Sequence, residues 1–265
     1  MSPKISIITA TFNVAHTIKH TLDSVIMQDF SDFEHIIIDG KSSDNTLEII
    51  ESYRAKYAQK GIALRILSER DNGIYDAMNK GLKHARGQIV GFLNADDFFA
   101  SNLVLRFIAW GFDSPRGIDI LYANVLYVNA QHKPLRNLKG REFSRYFFAL
   151  GLHPPHPSFY VKRRVYEEYG GFDLTYNIAA DYEIMLRFLQ RYRLKSLYIN
   201  ECFVKMRSGG TSNASLKNIL RANMQCMRAW RQNHHSYKYA PLSVGLKILR
   251  KCKDKLLMFL SMHHS

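Results

Sequence analysis

Residues 89–98 read IVGFLNADDF. An apolar run passes directly into Asn94-Ala95-Asp96-Asp97, so two adjacent carboxylates close a stretch with the composition of a buried strand. Charges beside a hydrophobic strand need a partner. Neighbouring carboxylates also raise each other's pKa unless a cation sits by them. Oxygen ligands of this kind favour Mg2+ or Mn2+. The competing reading is a helix N-cap, a common place for Asp after a strand.

Upstream, strand and helix patterns alternate. Residues 4–10 (KISIITA), 34–40 (EHIIIDG), 62–68 (IALRILS) and 87–95 (GQIVGFLNA) read as strands, and 15–27, 47–57 and 73–85 as helices. That alternation predicts an α/β fold with a mostly parallel central sheet and helices on both faces. Beyond residue 100 the pattern loosens. A helix is expected at 101–110, a strand at 118–128, a non-helical proline-rich segment at 153–161, a helix at 179–192 and a last strand at 195–200.

In open α/β sheets ligands bind beyond the carboxyl ends of the strands. The strand ends here carry Thr9, Thr11 and Asn13, then Asp39 and Lys41, Glu69 and Asp71, and Asn94, Asp96 and Asp97. Their convergence on one rim predicts an active site. An acid such as Asp39 can accept from a base N–H or a ribose hydroxyl, and Lys41 can meet phosphate as a point charge.

Several classes are disfavoured. No G-x-G-x-x-G follows the first strand, where Thr9-Ala10-Thr11-Phe12-Asn13 stands instead, and there is no Walker sequence. Cys202, Cys226 and Cys252 form no C-x-x-C pair, which argues against a zinc site or a disulfide framework. No run of 18 uncharged apolar residues predicts a membrane span. Nucleotidyl transfer would call for a Gly/Arg/Lys-rich loop after the first strand, which is absent.

The segments ISIITATFN, IIIDGKSSDNT and SERDNGIYDAMNKGLKHARGQIVGFLNADD, in this order and spacing, resemble family 2 glycosyltransferases of the GT-A fold, of the bacterial O-antigen, capsule and exopolysaccharide type. The likeness is dense over residues 4–97 and looser to about 211. It implies a Rossmann-like catalytic domain over 1–211, with a nucleotide-sugar-binding half (1–97) and an acceptor-binding half (98–211), followed by a basic helical extension (212–265). It further implies a UDP- or GDP-linked sugar donor, a divalent metal (Mg2+ or Mn2+) and inverting transfer by direct displacement.

Carried onto this sequence, the resemblance places Thr9, Thr11, Asn13, Asp39 and Lys41 on the nucleoside side. Asp71, Asp76, Asn79 and Lys80 would lie near ribose, base or diphosphate. Asn94, Ala95 and Asp96 form the Asp-x-Asp position, with Asp96 as metal ligand and Asp97 as a second candidate. Asn94 stands where the family more often has an aspartate. Asp181, in Ala179-Ala180-Asp181-Tyr182-Glu183, matches the general base, the competing reading being an N-terminal helix acid. Glu183 turns roughly 200° away on a helix. His153, His156 and Arg207 are candidates for the acceptor or diphosphate side.

The charge is concentrated at one end. Of the net +14, nine units fall in 217–265, where ten Lys and Arg face Asp254 alone. A basic pole attracts nucleic acid, anionic lipid or phosphorylated substrates. No nucleic-acid-binding module is recognisable, so that partner is not expected. Leu242, Leu246, Leu249, Leu256 and Leu260 fall near one face of a basic amphipathic helix, which fits a membrane surface or packing on the catalytic domain. The resemblance implies an acceptor saccharide carried on undecaprenyl diphosphate, and hence a cytoplasmic protein, peripheral on the inner membrane.

Overall fold

The structure, a computed structural model, describes residues 2–207, 216–233 and 239–250. Its first half runs β1 (Ile5–Thr11), α1 (Ile18–Ile26), β2 (Phe33–Asp39), α2 (Thr46–Ser52), α3 (Arg54–Gln59), β3 (Ala63–Ser68), α4 (Ile74–His84) and β4 (Ile89–Phe92). Then follow β5 (Phe98–Phe99), α5 (Val104–Asp113), β6 (Ile120–Val128), β7 (Pro134–Leu138), β8 (Tyr160–Lys162), α6 (Arg163–Tyr169), α7 (Ala180–Leu186), β9 (Ser196–Arg207) and α8 (Leu216–Asn233). Residues 240–250 are helical.

One sheet joins them in the order β3-β2-β1-β4-β8-β6-β9-β5, with β7 on β6. The pairings β3–β2–β1–β4 and β6–β9 are parallel, and the shorter β4–β8–β6, β5–β9 and β6–β7 pairings are antiparallel. The chain leaves β1 toward β2 on one side and returns to β4 on the other. The loops after β1 and β4 therefore part at a switch point, where a ligand crevice forms.

Strand β2 is buried along its whole length, including Glu34, His35 and Asp39. Each of these polar groups has partners. Glu34 accepts from Ser6 Oγ (2.6 Å) and the Arg86 N–H (2.7 Å). His35 lies between Thr9 Oγ1 (2.9 Å) and Tyr57 Oη (2.7 Å), and burial lowers its pKa to about 3, so the imidazole is neutral. Paired this way, the polar residues avoid the few kcal/mol (about 1–3 each) that an unpartnered buried group costs.

Three sequence expectations shift. Helix α7 ends at Leu186 and continues as a π-turn over Arg187–Arg191. There Arg187 donates to the carbonyls of Tyr169 (2.6 Å) and Gly171 (2.6 Å) and pairs with Glu183 (3.1 Å). Strand β9 runs on past residue 200 to Arg207, and irregular register against β6 around Asn124 accommodates the polar Asn200-Glu201 step. The proline-rich segment resolves into a 3-10 turn at His156–Ser158 and the short β8.

The helical extension shares the core of the catalytic body. Cys226, Ala229 and Trp230 of α8, with Ala240 and Val244, join the same buried cluster as Phe148, Tyr182 and Met185. Trp230 Nε1 donates to Tyr182 Oη (2.9 Å), and Ser243 Oγ donates to the Phe148 carbonyl (2.6 Å). Ala240, Ser243, Val244 and Lys247 form the packed face of the 240–250 helix. Leu242 and Leu249 are more than half exposed on its other side. The last two leucines of the expected stripe, Leu256 and Leu260, lie outside the described residues.

Candidate active site

The rim after β1 and β2 is rigidly built. Asp39 is fully buried and accepts from Thr11 Oγ1 (3.1 Å), Ser42 Oγ (2.5 Å), the Ser42 N–H (3.1 Å) and Ser68 Oγ (2.7 Å). Asn13 Oδ1 accepts from the Ser43 N–H (2.8 Å), tying the first loop to the second. Asn13 (φ 52°) and Lys41 (φ 65°) both hold left-handed backbone, and so does His132 (φ 60°) beside Arg207. Such a conformation costs a non-glycine residue roughly 1–2 kcal/mol, and strain of this kind collects where function fixes a loop. Gly40 permits a close approach here, since a Cβ would overlap the Asp71 carboxylate.

The next loop is braced by its own charges. Asp71 accepts from the Gly73 N–H (2.9 Å), and Asp76 accepts from the Asn72 N–H (2.9 Å). Lys80 donates to the Arg70 carbonyl and lies 3.2 Å from Glu69 and 3.8 Å from Asp76. Lys80 thus staples the loop before α4.

At the end of β4, Asp96 is largely buried. Burial raises its pKa, while Arg207 and His16 pull it down. Asp97 is fully buried, and burial together with the neighbouring Asp96 charge lifts its carboxyl well above the usual carboxylate range. Asn94 Nδ2 donates to Asp97 Oδ2 (3.3 Å). Arg207 faces this pair from the end of β9, its guanidinium 3.2 Å from His132 Nε2 and its Nε without a partner. Because Arg207 can only donate, His132 accepts as a neutral ring, and burial and the surrounding cations lower its pKa accordingly.

Asp181 opens α7 on the facing side. Tyr75 Oη donates to the Ile178 carbonyl (2.9 Å) and toward Asp181 Oδ1 (3.3 Å). His156 presents a buried Nε2 with no partner, its pKa lowered by burial against the opposing pull of Asp181. Tyr127 joins the two poles: burial first, then the charges of Asp97 and Asp181, raise its phenol, with Arg136 opposing. The site is thus a cleft with carboxylates and Arg207 on one wall and Asp181 on the other.

Two of the expected donor residues have their polar groups taken up within the fold. Thr9 is completely buried one step down the strand from the rim, and its hydroxyl is taken by His35. Asn79 spends both ends of its amide on the Phe172 backbone, donating to the carbonyl (2.8 Å) and accepting the N–H (2.9 Å). Ala95 is buried, so its contribution to the rim is through the backbone. Asp97, the second metal candidate, lies within the interior behind Asp96. His153 is turned to the Pro154 carbonyl (3.0 Å) and the Tyr182 ring. Glu183 faces away from the cleft as expected, bound by Arg187 and by Asn233 Nδ2 (2.8 Å).

Residues that the sequence did not single out also line the site: Phe12, 61% exposed on the first loop, with His16, Tyr75, Tyr127 and His132. Phe12 had a signal, an aromatic between the polar Thr11 and Asn13. The others come together only through the fold.

A divalent cation fits the donor chemistry at Asn94–Asp96: the side-chain ligands are oxygens, and Asn94 Oδ1 is a buried acceptor without a partner. Among the described residues no three His, Cys, Asp or Glu side chains converge on one point. A cation here would draw further ligands from substrate, the usual habit of Mg2+ at phosphate sites.

Comparison with known proteins places the fold. Solved structures share the fold: Staphylococcus aureus TarS 1-349 in complex with UDP (TM-score 0.66, 19% identity, covering 92% of this chain and 70% of that one), and the Pyrobaculum calidifontis mannosyltransferase PcManGT in complex with GDP-Man and Mn2+ (TM-score 0.61, 16% identity, 99% and 80%). Among curated sequences, a PGL/p-HBAD biosynthesis glycosyltransferase of Mycobacterium bovis is 29% identical over 213 residues, 80% of each chain. An uncharacterized glycosyltransferase of Mycobacterium tuberculosis, MT1564, is 31% identical over 202 residues, 70% of this chain and 69% of its own. The profile of Glycosyl transferase family 2 matches residues 6–170, from β1 through α6. The chain therefore belongs to glycosyl transferase family 2 and is a glycosyltransferase of GT-A fold.

Proposed function

We propose that this glycosyltransferase moves a sugar, with inversion, from a UDP- or GDP-linked donor to a hydroxyl of a saccharide acceptor in bacterial surface polysaccharide synthesis. The observation that carries the reading is the division of the cleft. A braced nucleoside rim and a carboxylate–Arg207 wall stand on one side, and Asp181, free of any ion pair among the described residues, on the other. Solved neighbours holding UDP, UDP-GlcNAc and GDP-Man support the donor class.

In this reading Thr11, Asn13, Asp39 and Lys41, with Asp71, form the nucleoside side, and Phe12 offers a ring face to the base. Asp39, already carrying four hydrogen bonds, acts chiefly by fixing the loop; a donor N–H would replace the Ser42 hydroxyl. Asp96, assisted by Asn94, would hold Mg2+ or Mn2+, which when bound neutralises charge developing on the leaving diphosphate. Arg207 adds a fixed cation at the same place. Asp181 takes the proton of the acceptor hydroxyl as it attacks the anomeric carbon, the geometry of general-base catalysis. His156, neutral and with a free Nε2, can hydrogen-bond an acceptor hydroxyl beside it.

The acceptor is proposed to be a saccharide on a lipid diphosphate, reached at an anionic membrane face. Supporting this, Leu220 and Met224 of α8 are exposed among Lys217 and Arg221, and Leu242 and Leu249 are exposed on the next helix. No helix among the described residues is long and apolar enough to cross a membrane. Burying four such side chains in the headgroup boundary offers about 1.5–3 kcal/mol each at most.

A panel of UDP- and GDP-sugars, assayed with Mn2+ or Mg2+ for release of nucleoside diphosphate, tests the activity. Metal-dependent turnover lost in Asp96→Ala and Asp181→Ala is expected; parental rates in both variants would overturn the site. Flotation with phosphatidylglycerol vesicles tests the membrane face, with binding expected for the full chain and lost on truncation before Pro241. No flotation of the full chain would remove that part of the proposal.

A further inference from the structure

The loop that delivers Asp181 is held from two sides by side chains of distant segments. On one side stands α4. Tyr75 stacks on Phe172 (ring centroids 5.5 Å apart) and donates to the Ile178 carbonyl and toward Asp181. Asn79, one turn on, grips the Phe172 backbone at both its N–H and its carbonyl, and Gly171 beside it has no room for a Cβ, which would lie 2.5 Å from Asn79 Oδ1.

On the other side stands α8, which lies beyond the residues matched to the family. Gln225 Oε1 accepts two successive backbone N–H groups, from Ile178 (3.1 Å) and Ala179 (3.0 Å), and its Nε2 donates to Asn177 Oδ1 (2.6 Å). These N–H groups precede the first turn of α7 and no carbonyl of that helix can accept them. Trp230 and Asn233 extend the same grip to Tyr182 and Glu183. Helix α8 therefore holds the residues on both sides of Asp181 and leaves its carboxylate to the cleft.

We propose that Gln225 is a positioning residue for Asp181, with Tyr75 as the opposing jaw, so that α8 is part of the catalytic architecture as well as a surface element. This rests on the reading of Asp181 as the base. The physical argument is one of tolerance. A carboxylate acts as base only within hydrogen-bond reach of the proton it removes, and a displacement of about 1 Å can cost as much as 100-fold in rate. Tyr75 secures the carbonyl of Ile178 while Gln225 secures the N–H of Ala179, so that the Ile178–Ala179 peptide plane is pinned at both its polar groups. A change at Gln225 then reaches Asp181 through the short backbone step from Ala179 to Asp181.

The test uses the full chain and whichever of UDP-GlcNAc, UDP-glucose, UDP-galactose and GDP-mannose it turns over fastest. Gln225→Met keeps the length of the side chain and removes the acceptor. It is expected to lower kcat about tenfold with the affinity for UDP or GDP within twofold of the parent. Gln225→Glu keeps an acceptor for both N–H groups, while the Asn177 amide can turn to donate, and it should recover most of the rate. Tyr75→Phe keeps the stacking and loses only the hydroxyl, with a smaller fall in kcat. In an Asp181→Asn background neither change should lower the residual rate further, because residues acting through one group are not additive. Parental kcat in Gln225→Met, or a full tenfold loss that persists in the Asp181→Asn background, would overturn the proposal. Parental turnover in Asp181→Asn alone would instead remove the base reading itself, and the clamp with it.

Discussion

The two walls of the cleft are built differently. The nucleoside wall is made by consecutive strand–loop units, and its polar groups satisfy one another across neighbouring loops: Asn13 with Ser43, Thr11 and Ser68 with Asp39. The wall that carries Asp181 draws on α4, the 147–156 segment, α8 and the 240–250 helix, with partners as far apart in sequence as Tyr75 and Asp181, 106 residues. The first wall presents a preformed rim to a ligand with a constant chemistry. The second holds one carboxylate in place through long-range packing, and its outer helices are open to variation.

The largest effect expected of breaking this comparison is at the carboxylate wall. Asp96→Ala should lower metal-dependent turnover by at least 100-fold, on the scale of lost electrostatic stabilisation of a leaving group, while thermal stability is kept or raised, because a buried carboxyl of raised pKa is removed. Turnover within tenfold of the parent in steady-state assays would move the charge-stabilising role to Arg207.

A second change tests whether α4 serves the second wall. Asn79→Ala removes both bonds to Phe172, and urea unfolding should show a loss of about 2–3 kcal/mol, two net hydrogen bonds plus the unpaired backbone groups they leave. The affinity for UDP or GDP should stay near the parent value. A large loss of nucleotide affinity with little loss of stability would return Asn79 to the donor wall.

A smaller effect concerns Asp97. Its folded pKa is raised, so the folded state favours the protonated acid, and stability falls as pH rises from the unfolded carboxylate range near 4 through the folded value. Asp97→Asn, which does not titrate, should exceed the parent in unfolding free energy, measured by urea denaturation at pH 8 with chelator present, by about 1 kcal/mol. The difference should shrink as pH approaches 4. An equal difference at every pH would mean that packing rather than charge sets it.

The same contrast explains how much the sequence discloses. The four leading strands, their polar ends and the Asp-rich turn after β4 are visible because each is a short run with a period and a terminus. Thr9 and Asn79 show the limit of that local logic, because their polar groups bond partners in distant segments. Thr9 shares a strand face with Thr11 but lies one step inside the sheet, where its hydroxyl meets His35 of the adjacent strand. Asn79 belongs to a motif whose other members face the rim, yet its amide matches a peptide 93 residues away. The short β5 and β8, the run of β9 to Arg207, the meeting of His132 with Arg207 and the place of Tyr127 near both Asp97 and Asp181 depend on tertiary pairing that no local period encodes.

The division of labour between the walls is tested most directly by Asp181→Asn, measured for nucleotide binding and turnover on the same preparation. The account predicts calorimetric affinity for UDP or GDP in Mn2+ within about twofold of the parent, and turnover of the active nucleotide sugar reduced by 100-fold or more, the scale of general-base catalysis. Turnover at the parental rate with intact binding would contradict it, as would a variant that loses nucleotide affinity in proportion to its rate.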